Sequence, residues 1–428
     1  MKLLTIKNFL NMKLRNLMYA TMIACAFASC SKDDEVINGG ETADATAKLN
    51  VKFEMPTQTK SLPENDDEGA SESSVKSLQV YVFKADGSYE ATFSKTNTNV
   101  SENNALTAGE KKVVVVANAD AVDNPGNIND VYNASVSILN EKNGQLTMNS
   151  KTYTITLVAG KTNYLGYTSD ESTTGVYLIP TEGDLSGKAV KLYRNVAKIV
   201  LTGVTLAPND QYKQAQLTIN KVYILHGNPT SKLVGGSDAW NSTYSALGNN
   251  DNWFIGSTVS DYTEWVKKMS NITDSQVKQN YVNKYDHSDY YNSSIDPITL
   301  TTNSAKTNNN NVDAFYAYEN LNTTSRTLLV VEGVFSYGNQ PVTDFPTRYY
   351  SVAVGDPNQN LGTLTKPDGG IDRINDGILR NVQYNVSLTV KGPGYETPFG
   401  PDQSSNTNLN VKVEVVPFGT VNQTPVIE

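Results

Sequence analysis

Lys48-Leu49-Asn50-Val51-Lys52-Phe53-Glu54-Met55 alternates polar and apolar side chains without a break. A strand turns successive side chains to opposite faces, so this octapeptide predicts an extended segment with Leu49, Val51, Phe53 and Met55 on one buried face. Pro56 stops it, and the acidic, Ser-rich stretch 64–74 reads as an exposed loop. Working outward, residues 78–83 form a second strand that turns at Asp86-Gly87, and residues 112–118 read as a strand buried on both faces. Residues 153–158 close on a turn at Ala159-Gly160-Lys161, and one short helix is expected within 128–139. Short strands separated by turn residues predict an all-β sandwich rather than alternating βαβ units.

A second series starts near residue 189, after the turn material of 182–187. Its strand candidates are 197–206, 216–225, 326–337, 349–354, 384–391 and 409–416. The fold class is therefore all-β, with two tandem β-sandwich domains and few short helices. Within the second domain lies a long insertion, 227–312, dominated by Asn, Ser, Asp, Tyr and Gly, with one helix-compatible patch at 262–269. Two readings of it stay open: a decoration suited to sugar or protein contact, with Trp240, Trp253 and Trp265 inside it, or a solvated insertion without a site.

At the amino terminus, Lys2, Lys7, Lys13 and Arg15 precede the apolar stretch 17–28, which is too short to span a bilayer and fits the core of a signal peptide. Initiation at Met1 and at Met12 are both compatible with it. Phe27-Ala28-Ser29-Cys30 resembles the lipobox of bacterial lipoproteins. Cys25 lies within the signal, so Cys30 is left without a disulfide partner after processing, as a lipidated first residue would be. Ser31-Lys32-Asp33-Asp34-Glu35 then reads as a polar tether leaving an outer membrane.

The formal net charge is -9 with no basic block, which argues against nucleic acid as a partner. Tyr is abundant at 24 residues and His is scarce at 2, so a catalytic triad or a metal site has only His226 and His287 to recruit. Neither has the neighbours that such chemistry needs. No phosphate loop or nucleophile elbow occurs, and no cofactor or metal is called for. A glycosidase with two distant carboxylates stays open, because such pairs need no fixed spacing.

Several segments together resemble the fimbrillins of Bacteroidales, the subunits of type V pili. Lys76-Ser77-Leu78-Gln79-Val80-Tyr81-Val82-Phe83, Ala108-Gly109-Glu110-Lys111-Lys112-Val113-Val114-Val115-Val116-Ala117-Asn118 and Leu157-Val158-Ala159-Gly160-Lys161-Thr162-Asn163-Tyr164 look like the amino-terminal fimbrillin domain. Leu192-Tyr193-Arg194-Asn195-Val196-Ala197-Lys198-Ile199 resembles the first strand of the second domain, and residues 380–394 with 408–417 its end.

The resemblance implies two transthyretin-like sandwiches and a non-enzymatic structural role. The segments are a signal peptide (1–29), a propeptide bearing the first strand (30–60), domains at 61–188 and 189–416, and a donor strand (417–428). It further implies lipidation at Cys30 and cleavage by a surface protease. Family members are trimmed after an arginine, yet no arginine lies between Arg15 and Arg194, so the equivalent position is Lys60-Ser61. Loss of Leu49, Val51, Phe53 and Met55 then opens a groove for a donor strand containing Phe418, Val421, Pro425, Val426 and Ile427 from another copy or a related subunit. A host protein or glycan is a further implied partner. The rival readings are a surface glycan-binding lipoprotein and a fimbrial tip or anchor adhesin.

Overall fold

The run Val113-Val114-Val115-Val116-Ala117 has no polar side chain to present to water, and it forms the middle of strand Gly109–Ala117, covered on both faces. Val113 and Val115 join the main core, while Val114 and Val116 join a smaller cluster with Tyr81, Phe83, Ile128, Val131, Leu233 and Val234. Ser77–Lys84 pairs antiparallel along this strand and returns as Tyr89–Thr96 through Gly87, whose φ of 88° suits glycine. Tyr153–Leu157 and Met148–Asn149 pair on the other side. A four-stranded sheet in the order Val176–Leu178, Thr162–Leu165, Thr46–Val51 and Asn104–Thr107 shares the same apolar core.

The computed structural model describes residues 45–54, 72–96, 104–141, 144–167, 175–178, 189–228, 230–234, 254–256, 298–302, 305–307, 314–321, 326–356, 363–365, 371–373, 377–396 and 409–417. In the second half, Ala197–Leu206 runs parallel to Val382–Val390, which in turn pairs antiparallel with Leu409–Pro417 at the edge of the sheet as described. Ala314–Ala317 and Ala305–Thr307 flank its other side. The second sheet pairs Gln216–Gly227 with Leu328–Ser336, then Thr347–Ala353, with Phe254–Gly256 and Ile298–Thr301 along the free side of Gln216–Gly227. The architecture is all-β, as expected from the alternation pattern.

The short helix, Ile128–Asn133, falls within 128–139 as expected, whereas two other expectations are corrected. The helix starts well, with Asn127 capping the Asn129 amide and Asp130 closing a capping box, but Ser135–Ser137 leaves to pair with Thr230–Lys232 from the second half. Tertiary pairing outweighs helix propensity there. The segment 192–199 is not one strand of the second domain. Val190–Lys191 pairs with Phe53–Glu54, Tyr193–Arg194 pairs with Met148–Asn149, and only from Ala197 does the chain enter the second half. Finally, the acidic stretch 64–74 is not exposed throughout: Glu72 and Ser73 are buried. Glu72 finds counter-charge far along the chain, its carboxylate accepting from Lys198 Nζ at 2.7 Å and Tyr316 Oη at 2.5 Å.

Candidate functional site

The leading strand Thr46–Val51 does not lie at an edge. It runs parallel to Thr162–Leu165, with Leu49 opposite Asn163, and antiparallel to Asn104–Thr107. Its continuation, Phe53–Glu54, pairs parallel with Val190–Lys191. Main-chain bonds hold it along one flank, Lys48 N–H to Lys161 O at 3.1 Å, Lys52 N–H to Leu165 O at 2.9 Å, Gly160 N–H to Thr46 O at 2.8 Å and Val190 N–H to Lys52 O at 2.8 Å, and Ala108 N–H to Ala45 O at 2.7 Å marks the other. Inward, Ala47, Leu49, Val51 and Phe53 are all buried in the core. Burying each of the larger three contributes roughly 1.5–3 kcal/mol. Outward, Lys52 lies 5.9 Å from the Tyr167 ring centre, beside the stacked pair Tyr164 and Tyr177.

Two groups that sequence reasoning overlooked shape this slot. Asn163 is fully buried: its Oδ1 accepts from Val158 N–H at 2.9 Å, and its Nδ2 donates to Lys48 O at 3.0 Å and Lys161 O at 3.1 Å. Gly166, at φ 85°, has room for no side chain, because a Cβ there would lie 2.3 Å from Lys52 O. Ala47 also belongs to the inward face, extending the alternation one step earlier than the octapeptide suggested.

At the crossing between the halves, buried polar groups replace apolar packing. Arg194 donates from Nε to Glu72 O at 3.1 Å and from Nη2 to Ser73 Oγ at 3.0 Å; burial lowers the pKa of its guanidinium to about 10. Arg380 forms a 2.5 Å ion pair with Glu319, neither side chain exposed, and also donates to Ser231 Oγ at 3.0 Å and Asn149 Oδ1 at 3.3 Å. Glu141 accepts from Tyr318 Oη at 2.7 Å and Thr147 N–H at 2.8 Å. Burial pushes its carboxyl up to about 6, against the pull of these donors and of the Arg380 charge.

Leu49, Val51 and Phe53 thus come together in one apolar row. Met55, Cys30, Lys60, Ser61, Phe418, Val421, Pro425, Val426 and Ile427 lie outside the described residues, as do the three Trp of the insertion and His287. His226 is buried, its Nδ1 within 3.0 Å of Arg326 O. Among the described residues no group of three His, Cys, Asp or Glu could hold a metal ion.

The family described as Major fimbrial subunit protein (FimA) matches residues 47–194, the region containing the leading strand and its slot. The chain is 27% identical over 421 residues to Major fimbrium subunit FimA type-5 of Porphyromonas gingivalis, covering 95% of this chain and 97% of that one. It is 25% identical over 401 residues to a type-2 subunit of the same organism, covering 92% and 94%. A crystal structure of a fimbrilin (FimA) from Porphyromonas gingivalis superposes with a TM-score of 0.56 at 20% identity, covering 89% of this chain and 99% of that one. Similarity runs almost end to end, and the chain is plainly similar, in sequence and in fold, to the FimA-type fimbrial subunits of Porphyromonas gingivalis.

Proposed function

We propose that this chain is a structural subunit of a cell-surface fimbria and polymerises head to tail by donor-strand exchange. The observation that carries the reading is the placement of Thr46–Val51 between two strands of one sheet, with Ala47, Leu49, Val51 and Phe53 filling the core beneath. Take that strand away and two facing rows of backbone groups lose their partners over an apolar trough. Only another strand satisfies both at once. Because donor and acceptor surfaces differ, the contact does not close on itself and a filament grows.

Export as a lipoprotein anchored through Cys30, removal of the leading strand by a surface protease between Lys60 and Ser61, and donation of residues 418–428 complete the scheme. Arg194 is the alternative basic residue, and its burial supports a cut upstream instead. Adhesion to a host protein or glycan is a secondary role, assigned to the insertion 227–312. Amino-terminal sequencing of filaments sheared from cells is the test. A start at Ser61 is expected, whereas filament subunits that retain a blocked Cys30 would overturn strand removal.

A further inference from the structure

Most inward-facing side chains around the slot are apolar: Leu106, Leu157, Leu165, Leu178 and Val190. Asn163 breaks that rule, fully buried and directly opposite Leu49. A buried amide at such a position costs stability unless its hydrogen bonds are made. Its Oδ1 is committed to Val158 N–H at 2.9 Å, which fixes which way the amide faces and aims Nδ2 at the slot, where it meets Lys48 O at 3.0 Å. The group it meets is a main-chain carbonyl, which every strand possesses. Three residues along, Gly166 leaves space for the strand's main chain at Lys52. Beyond the strand-to-strand bonds, the slot therefore meets its occupant's backbone at two further fixed points, neither of which reads a side chain.

We propose that Asn163 is a positioning residue for strand exchange, holding the leading strand and then the donor strand that replaces it by one main-chain carbonyl. This rests on the exchange reading above. When the slot stands empty, Nδ2 keeps Lys161 O at 3.1 Å and Val158 O at 3.3 Å and loses its shortest contact, Lys48 O at 3.0 Å, so an occupant's carbonyl adds a bond whatever the donor's sequence.

The test uses the full chain with an engineered protease site in the 56–71 region, cut and left with its leading segment in place. Two labelled peptides of residues 45–56 compete with that segment: an all-amide peptide, and one whose Lys48–Leu49 amide is an ester, a poorer acceptor at the Lys48 carbonyl. The cut chain with Asn163 intact should hold the amide form at least about five-fold more tightly than the ester, the worth of one hydrogen bond. In Asn163→Ser that preference should fall, leaving only the share owed to the Leu49 N–H that the ester also removes on the Asn104 side. Release of the native leading segment in urea should also speed up about five-fold, with Asn163→Asp as a second variant should the first fold poorly.

An unchanged amide-to-ester preference in the variants overturns the assignment, since a purely structural turn residue would weaken both peptides alike. If no peptide enters any form of the chain, the exchange reading fails, and the release rates alone then decide whether Asn163 grips the strand.

Discussion

Truncating Leu49 probes the slot most directly. Its side chain is fully buried and sits between the inward Ala47 and Val51. Leu49→Ala removes its transfer free energy and leaves a cavity that a sheet fixed on both flanks cannot collapse to fill, so the loss should be about 2–5 kcal/mol. In the uncut chain this appears as a lower urea midpoint with unchanged slope. Once the chain is cut within 56–71, only noncovalent contacts retain the leading segment, and even the lower figure of about 2 kcal/mol corresponds to about 30-fold weaker retention. Release of the segment is followed by size-exclusion chromatography. Lys48→Ala, on the exposed face of the same strand, is the control and should stay within about 0.5 kcal/mol of the parent. Equal behaviour of the two variants would refute the claim that the inward row holds the strand.

Three further outcomes are expected. Glu319→Ala should cost about 3–5 kcal/mol, because it strands the unexposed Arg380 charge, and equilibrium unfolding would measure it; a loss under about 1 kcal/mol would mean the pair is idle. The Glu141 carboxyl is raised from 4.5 to about 6, so the folded chain holds this proton more tightly than the unfolded one. The associated stability, about 2 kcal/mol, is present below about pH 4.5 and lost as pH rises through about 6; Glu141→Gln should flatten that part of the urea-midpoint profile, and an unaltered slope would contradict it. Deleting residues 418–428 should leave folded monomers that fail to polymerise, and Cys30→Ala should abolish acylation; filaments in electron micrographs of either strain would count against the corresponding step.

Local alternation is legible wherever one face of a strand is buried, which is why Leu49, Val51 and Phe53 could be assigned to a common face from eight residues. Strand 197–206 matches Ala197–Leu206, although its first five residues are all buried and do not alternate. Ala47 was not, since a methyl group barely registers in an apolar pattern. Asn163 stood only as one residue of the segment 157–164, and most of its hydrogen bonding serves the turn there; the bond to Lys48 O spans 115 residues and leaves no trace in the local pattern. Glu72 hid in an acidic stretch because its partners Lys198 and Tyr316 stand 126 and 244 residues away. The divided segment at 190–197 was not legible, because strand partners far along the chain decide where each piece ends.

The anchoring of Glu72 bears on how maturation ends. Arg194, Lys198 and Tyr316 all fasten on Glu72 and Ser73, so the chain is fixed to the folded body at that point. Under the proposed processing, a cut upstream of it would free the leading segment and leave this anchorage intact. The start of the finished subunit would then fall ahead of Glu72 through the substrate's architecture as well as the enzyme's preference. Digestion with an unselective protease should accordingly yield bodies that start ahead of Glu72, and the same bodies should appear in cells that carry different surface proteases.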